Sequence, residues 1–114
     1  MLNLVVLYYD CTILCGFRNE QEQTVAFNSG HSKVRWPEGK HNTAPSKAVD
    51  AAPWVGGGVP WECARQFYHF AGYVLGVAKM LGISLRWGGD WDRDNNVAEK
   101  QSFDDLCHFE IAED

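Results

Sequence analysis

The chain has 114 residues, a length that fits one small domain with a single core and leaves no room for a second domain. Hydrophobic residues make up 46% of the sequence and charged residues 22%, which predicts a packed globule rather than extended disorder. The formal net charge of -5 argues against a general nucleic-acid-binding protein, although Lys33, Arg35 and Lys40 form a small basic group.

Cysteine usage and the absence of targeting patterns indicate where the protein is made. The four cysteines include no CxxC pair and are too sparse for a disulfide scaffold, so we expect reduced thiols. A zinc site built on Cys11 and Cys15 stays open as an alternative. No segment resembles a signal peptide or a transmembrane helix, so we expect synthesis in the cytoplasm without membrane insertion.

The first half of the chain predicts a strand, a helix and a long loop. Residues 2–7 form a short helix or strand that leads into a buried strand at 11–15, because apolar and β-branched residues dominate there. Asn19 and Glu22 have the spacing of a capping box, which predicts a helix over residues 19–28. Residues 29–45 are rich in Gly, Pro, Ser, Lys and His and predict a loop, and long loops often carry function.

The second half predicts a long helix among strands. Residues 46–55 have an extended pattern, and Pro60 is well placed to open a core helix over residues 61–81 that Gly82 ends. Residues 83–87 predict a strand. The spacing of Asp92, Asp94 and Asn96 begins like an EF-hand loop, but Val97 occupies the position of the glycine, which makes a calcium loop the weaker interpretation.

Residues 103–110 predict the last strand, and this strand carries a histidine close to carboxylates. Alternation places Leu106, His108 and Glu110 on one face, whereas Cys107 and Phe109 face the core. A histidine in a strand is more often a hydrogen-bonded structural residue than a ligand. A ligand role gains support from two upstream groups, His41 in the loop and Asp50 in the preceding strand, because two histidines and one carboxylate leave zinc a fourth position for water.

A catalytic zinc site also needs a base and a cation. Asp105 is the expected base, although spacing alone leaves Asp104 and Glu110 as alternatives. Arg18 is a candidate to stabilise the developing oxyanion or to hold a carboxylate of the substrate, with a solvated surface arginine as the alternative.

Several motifs in order along the chain resemble those of a known family. The sequence is similar to the zinc L-alanyl-D-glutamate and D-alanyl-D-alanine peptidases of the VanY-like group, in particular its short bacteriophage endolysin branch. The motifs that carry this resemblance are GFRNEQEQ at residues 16–23, GHSKVRWP at 30–37, HNTAPSKAVDAAPW at 41–54, LGISLRWGGDWD at 81–92 and FDDLCHFE at 103–110.

The resemblance implies a fold, a reaction and residue roles. The implied fold is α+β, of the hedgehog or DD-peptidase type, with helices packed on a small antiparallel sheet. The implied activity is hydrolysis of the peptidoglycan peptide stem by one catalytic domain, residues 1–114. We expect a monomer that is made in the cytoplasm of a phage host and acts on the cell wall after release. The implied site comprises one zinc ion bound by His41, Asp50 and His108, the base Asp105, the assisting Arg18, and substrate contacts at Gln23, Trp87 and Asp90.

Two alternatives remain open at this point. One is a host enzyme that trims D-alanyl-D-alanine ends as a carboxypeptidase or dipeptidase, which uses the same chemistry on a different bond. The other belongs to a different class, a zinc-stabilised domain that binds the cell wall without hydrolysis. Retention of the candidate ligands together with the candidate base favours an enzyme over that binding domain.

Overall fold

The computed structural model describes residues 1–16, 19–30, 32, 36, 47–98, 101 and 103–112, and within them the chain forms three helices and four strands. In chain order they are α1 (Leu2–Val5), β1 (Cys11–Cys15), α2 (Glu20–Asn28), β2 (Ala48–Pro53), α3 (Ala64–Met80), β3 (Leu85–Gly88) and β4 (Asp105–Ile111). The predicted α+β class with a small antiparallel sheet is confirmed.

The four strands form one sheet in the order β1-β2-β4-β3, and every neighbouring pair is antiparallel. Side chains alternate between the two faces of a sheet. One face carries Ala51, Trp87 and Phe109, which are buried in the core cluster. Asp50 and His108 therefore belong to the opposite face, and the core and the candidate site lie on different sides of the same strands.

Helix α3 covers the core face of the sheet. Its buried residues recur at helical spacing, and Phe70 meets Phe109 of β4 edge to face, with ring centroids 6.2 Å apart. The helix ends as predicted before Gly82, whose φ of +73° suits a residue without a side chain. The predicted start was wrong: α3 begins at Ala64, because residues 61–63 form a turn in which the N–H of Cys63 donates to the carbonyl of Pro60.

Two further local predictions have different outcomes. The capping box is confirmed, since the N–H of Glu22 donates to Asn19 Oδ1 at 2.9 Å and the N–H of Asn19 donates to Glu22 Oε1 at 3.1 Å. The prediction of a buried strand at residues 11–15 was wrong in its burial. Strand β1 lies at the sheet edge with Ile13 and Leu14 exposed, because apolar composition alone does not distinguish an edge strand from a central one.

The start of β4 departs from regular alternation. Trp87 pairs with Phe109, yet the next residue, Gly88, pairs with Asp105. Within this irregular stretch Leu106 packs against the core cluster, whereas the Cys107 sulfur lies 3.5 Å from Asp105 Oδ1. The prediction that Cys107 faces the core was therefore wrong, because the alternation rule assumes an unbroken ladder.

Candidate active site

Asp50 and His108 are direct partners in the pairing of β2 with β4. Residues that face each other across an antiparallel pair point to the same side of the sheet, so the register itself brings these two side chains together. Asp50 Oδ1 lies 3.2 Å from His108 Nδ1, and each side chain is 12% exposed. The pair is thus largely withdrawn from solvent at the middle of the sheet.

Asp105 joins this pair from the irregular start of β4. One donor atom each from Asp50, Asp105 and His108 lies within 4.8 Å of the other two. Gly88 permits the approach, since a Cβ built at Gly88 would stand 2.0 Å from the carbonyl oxygen of Asp105. A side chain at position 88 would therefore displace the backbone that carries Asp105.

The separation of Asp50 and His108 fits shared coordination of a metal ion. Two donors bound to one tetrahedral zinc at about 2.0–2.1 Å stand about 3.3 Å apart, close to the observed 3.2 Å between Oδ1 and Nδ1. An imidazole nitrogen with carboxylate oxygens suits zinc and would also accept manganese or cobalt. The chemistry and spacing of the described donors therefore fit the ion that the sequence predicts.

The second nitrogen of His108 is held by a carboxylate that is itself anchored. His108 Nε2 lies 2.9 Å from Glu110 Oε1, and Arg86 Nη1 of β3 lies 3.3 Å from Glu110 Oε2. Arg86 Nε also donates to the carbonyl oxygen of Trp91 at 3.1 Å. A carboxylate at one ring nitrogen fixes the tautomer, so Nδ1 is the nitrogen that is available to share an ion with Asp50.

The same contacts control the protonation of His108. Burial lowers the pKa of His108, but the hydrogen bonds to Asp50 and Glu110 outweigh it, and the charges of Asp50 and Asp105 add to them, so that the pKa rises to about 9. Without a metal ion the imidazole is therefore protonated at neutral pH. A metal ion that binds at Nδ1 must displace that proton.

We expect Glu110→Gln to lower the pKa of His108 in the metal-free protein from about 9 by about one pH unit or more, because the amide can accept a hydrogen bond but has no charge. Imidazole NMR shifts recorded across a pH titration measure this pKa. Glu22→Gln, in the capping box of α2, is the matched control and should leave it unchanged. A His108 pKa that does not respond to Glu110→Gln would contradict the role assigned to Glu110.

Cys107 is a neutral thiol beside the candidate base. Burial, followed by the charges of Asp105 and Asp50, raises the pKa of Cys107 to about 12. Its S–H donates to Asp105 Oδ1 across 3.5 Å. In the metal-free site Cys107 is therefore a hydrogen-bond donor to Asp105 rather than a thiolate nucleophile.

The two alternatives to Asp105 as the base are engaged elsewhere. Asp104 is exposed and accepts a hydrogen bond from Gln101 Nε2 at 2.7 Å. Glu110 is shared between His108 and Arg86. Among these three carboxylates, Asp105 is the one grouped with both Asp50 and His108.

The remaining predicted site residues fall into two groups. Arg18 and His41 lie outside the described residues, so their roles stay predictions. Gln23, Trp87 and Asp90 are 1%, 3% and 7% exposed. Gln23 donates to Ser32 Oγ at 2.8 Å and the Trp87 indole donates to the Leu106 carbonyl at 2.8 Å. These three side chains are buried in the fold, and their predicted contacts with substrate stay predictions.

The sequence interpretation missed Arg86 and the contribution of Gly88. Arg86 lies directly opposite Glu110 in the pairing of β3 with β4. The sequence offered one signal for this contact, a positive charge in one predicted strand that can pair with the negative charge of Glu110 in another. Gly88 carried no comparable signal, because its importance depends on a close approach of Asp105 that only the folded chain displays.

A second group of acids forms at the turn after β3. Carboxylate oxygens of Asp90, Asp92 and Asp94 lie within 4.8 Å of one another. Asp90 accepts the N–H of Asn95 at 2.9 Å and Asp94 accepts the N–H of Asn96 at 2.8 Å. Burial, together with hydrogen bonds to Asp92 and Asp94, raises the pKa of Asp90, although the Asn95 N–H opposes that rise. The hydrogen bonds of the turn itself therefore explain why these three carboxylates lie close together.

Among the described residues, no helix has both the length and the apolar character needed to cross a bilayer. Helix α3 has 17 residues, and its buried side packs against the core face of the sheet.

An α+β fold that groups two carboxylates and an imidazole on one face of an antiparallel sheet is the arrangement expected for a hydrolytic enzyme of the class that the motifs resemble. Comparison with known proteins identifies the family. The chain belongs to the phage L-alanyl-D-glutamate peptidase family, whose model matches residues 1–112. The resemblance stated from the motifs is confirmed, and the chain is a peptidoglycan-degrading peptidase of this family.

Two relatives support the assignment at different levels. The chain is 33% identical over 107 residues to the L-alanyl-D-glutamate peptidase of Escherichia phage T5, a match that covers 91% of this chain and 77% of that protein. The crystal structure of the Serratia marcescens L-Ala D-Glu endopeptidase ChiX superposes with a TM-score of 0.75 at 23% identity, covering 97% of this chain and 74% of that one. The second match establishes similarity of fold.

Proposed function

We propose that this chain is a zinc-dependent endopeptidase that cleaves the bond between L-alanine and D-glutamate in the peptide stem of peptidoglycan. The observation that carries the proposal is the grouping of Asp50, Asp105 and His108 within 4.8 Å, beside the 3.2 Å Asp50–His108 contact. The relationship to the phage T5 peptidase supports the choice of bond. We further propose that residues 1–114 act as one catalytic domain and as a monomer.

Each residue has a stated role in this proposal. His41, Asp50 and His108 would hold one zinc ion, which supplies an acidic bound water and polarises the scissile carbonyl. Asp105 takes the proton of the attacking water and passes it to the leaving amine. Glu110, held by Arg86, keeps the His108 ring in one orientation. Arg18 would stabilise negative charge on the carbonyl oxygen or bind a carboxylate of the substrate.

Digestion of purified peptidoglycan tests the proposal directly. We expect mass spectrometry to find stems that begin with D-glutamate and glycan strands that retain L-alanine, because hydrolysis of this amide leaves the new amine on D-glutamate. Pretreatment with a chelator should abolish the products, and about one equivalent of zinc per chain should restore them. Loss of terminal D-alanine alone would instead support the carboxypeptidase alternative and overturn the proposed bond.

A further inference from the structure

A cavity of about 260 Å³ opens beside the candidate base and has no role in the chemistry described so far. Its apolar wall is formed by Trp61, Ala64 and Phe67 at the start of α3, together with Leu106 of β4. Asp104 and Asp105 form its polar edge. Because Asp105 borders both this cavity and the group with Asp50 and His108, a molecule seated here would lie next to the bond undergoing hydrolysis.

The indole of Trp61 forms an exposed and supported platform at this cavity. Trp61 is 62% exposed, an unusual fraction for so large an apolar side chain. Its ring stacks on Phe67, with centroids 5.8 Å apart and an interplanar angle of 29°, and Phe67 itself is 4% exposed. The buried ring thus holds the exposed ring in place, which lowers the entropic cost of binding a flat apolar surface against it.

Charge selects which half of the substrate fits this cavity. The D-glutamate side of the scissile bond carries carboxylates, which the acidic edge at Asp104 and Asp105 would repel. On the other side, L-alanine is joined through the lactyl group to muramic acid, and this acyl side offers methyl groups and the apolar face of a sugar ring. An apolar wall with an exposed indole matches that chemistry.

We propose that this cavity is the subsite for the acyl side of the scissile bond, where Trp61 stacks on the muramic acid ring and Ala64, Phe67 and Leu106 contact the methyl groups of L-alanine and the lactyl group. This inference rests on the proposed function, since it assumes the L-alanyl-D-glutamate bond. It makes Trp61 a specificity-determining residue: the enzyme distinguishes stems attached to glycan from free peptides through this ring.

Binding of an uncharged analogue of the acyl side tests the subsite without requiring turnover. N-acetylmuramoyl-L-alanine amide, which lacks the carboxylate that hydrolysis leaves on L-alanine, is titrated into the zinc-loaded protein and its dissociation constant is measured by calorimetry or NMR. We expect Trp61→Ala to weaken binding about tenfold and Trp61→Phe to retain most of it, as the loss or partial retention of an aromatic contact predicts. Trp54→Ala is the matched control, because Trp54 is 44% exposed and does not line the cavity.

The amine-side product, a D-glutamyl dipeptide, should bind equally to the parent protein and to Trp61→Ala. Equal affinity of the parent protein and Trp61→Ala for the muramoyl ligand would overturn the subsite, as would no binding by the parent protein. Trp61→Leu, which keeps an apolar cover over Phe67 but removes the ring, gives the same test if Trp61→Ala fails to fold. Binding that depends on Trp61, in a protein that leaves the L-alanyl-D-glutamate bond intact, would confirm a muramoyl-L-alanine binding site at Trp61 while refuting the proposed function.

Discussion

Asp105→Ala should lower the rate of peptidoglycan hydrolysis by about a thousandfold or more, because a positioned general base contributes a factor of this order. The variant should still bind about one zinc ion per chain, since the proposed ligands are His41, Asp50 and His108. Hydrolysis is followed as clearing of a peptidoglycan suspension and as release of D-glutamyl amines. Metal content is measured on the same purified samples by elemental analysis.

The neighbouring acid provides the matched control for this experiment. Asp104→Ala removes an equal charge one residue away, from an exposed side chain that bonds Gln101 and borders the cavity at Trp61 but is not grouped with Asp50 and His108. Its expected turnover at saturating substrate is within a few-fold of the parent, since its side chain takes no part in the proposed proton transfer. Clearing by Asp105→Ala at the parent rate would remove Asp105 from the role of base. Loss of zinc together with activity would instead make Asp105 a metal ligand.

Local signals in the sequence were sufficient for α2 and for most of α3. The capping box of α2 depends on two residues three positions apart, and the burial of α3 depends on a spacing that recurs within one helix. The end of α3 at Gly82 is likewise a local matter of backbone conformation. The start of α3 was less predictable, because Trp61 stacks on Phe67 from a turn and a helical pattern does not encode that contact.

The candidate site depends on relationships that no local pattern contains. The pairing of Asp50 with His108 requires the register of two strands separated by more than fifty residues. The position of Asp105 requires the irregular pairing at Gly88, which shifts Leu106 toward the core and Cys107 toward the carboxylate. Family resemblance singled out Asp50, Asp105 and His108, which the fold brings together, whereas the contacts that hold Asp105 in place became evident only in the folded chain.

Zinc affinity should rise about fiftyfold between pH 7 and pH 9, because zinc must displace the proton that His108 holds up to its pKa of about 9. The sign follows from the charge states: below about pH 9 the free protein has His108 protonated, and each pH unit lower costs about a factor of ten in affinity. An ordinary histidine, with a pKa of about 6.5, is already mostly neutral in this range and contributes little to the pH dependence of zinc affinity. Competition with a chromogenic chelator, corrected for its own protonation, measures the affinity.

Proton release and a matched variant separate this explanation from a general effect of pH. Calorimetry in two buffers of different ionisation enthalpy should detect about one proton released per zinc ion bound at pH 7 and close to none at about pH 10. In Glu110→Gln the affinity should level off at a lower pH, because the weaker hold on the His108 proton lowers the pKa that zinc competes against. Glu22→Gln should follow the parent curve. An affinity that is flat between about pH 7 and 9 would mean that zinc displaces no proton from His108 in this range, and would contradict a His108 that is both protonated up to about pH 9 and a zinc ligand.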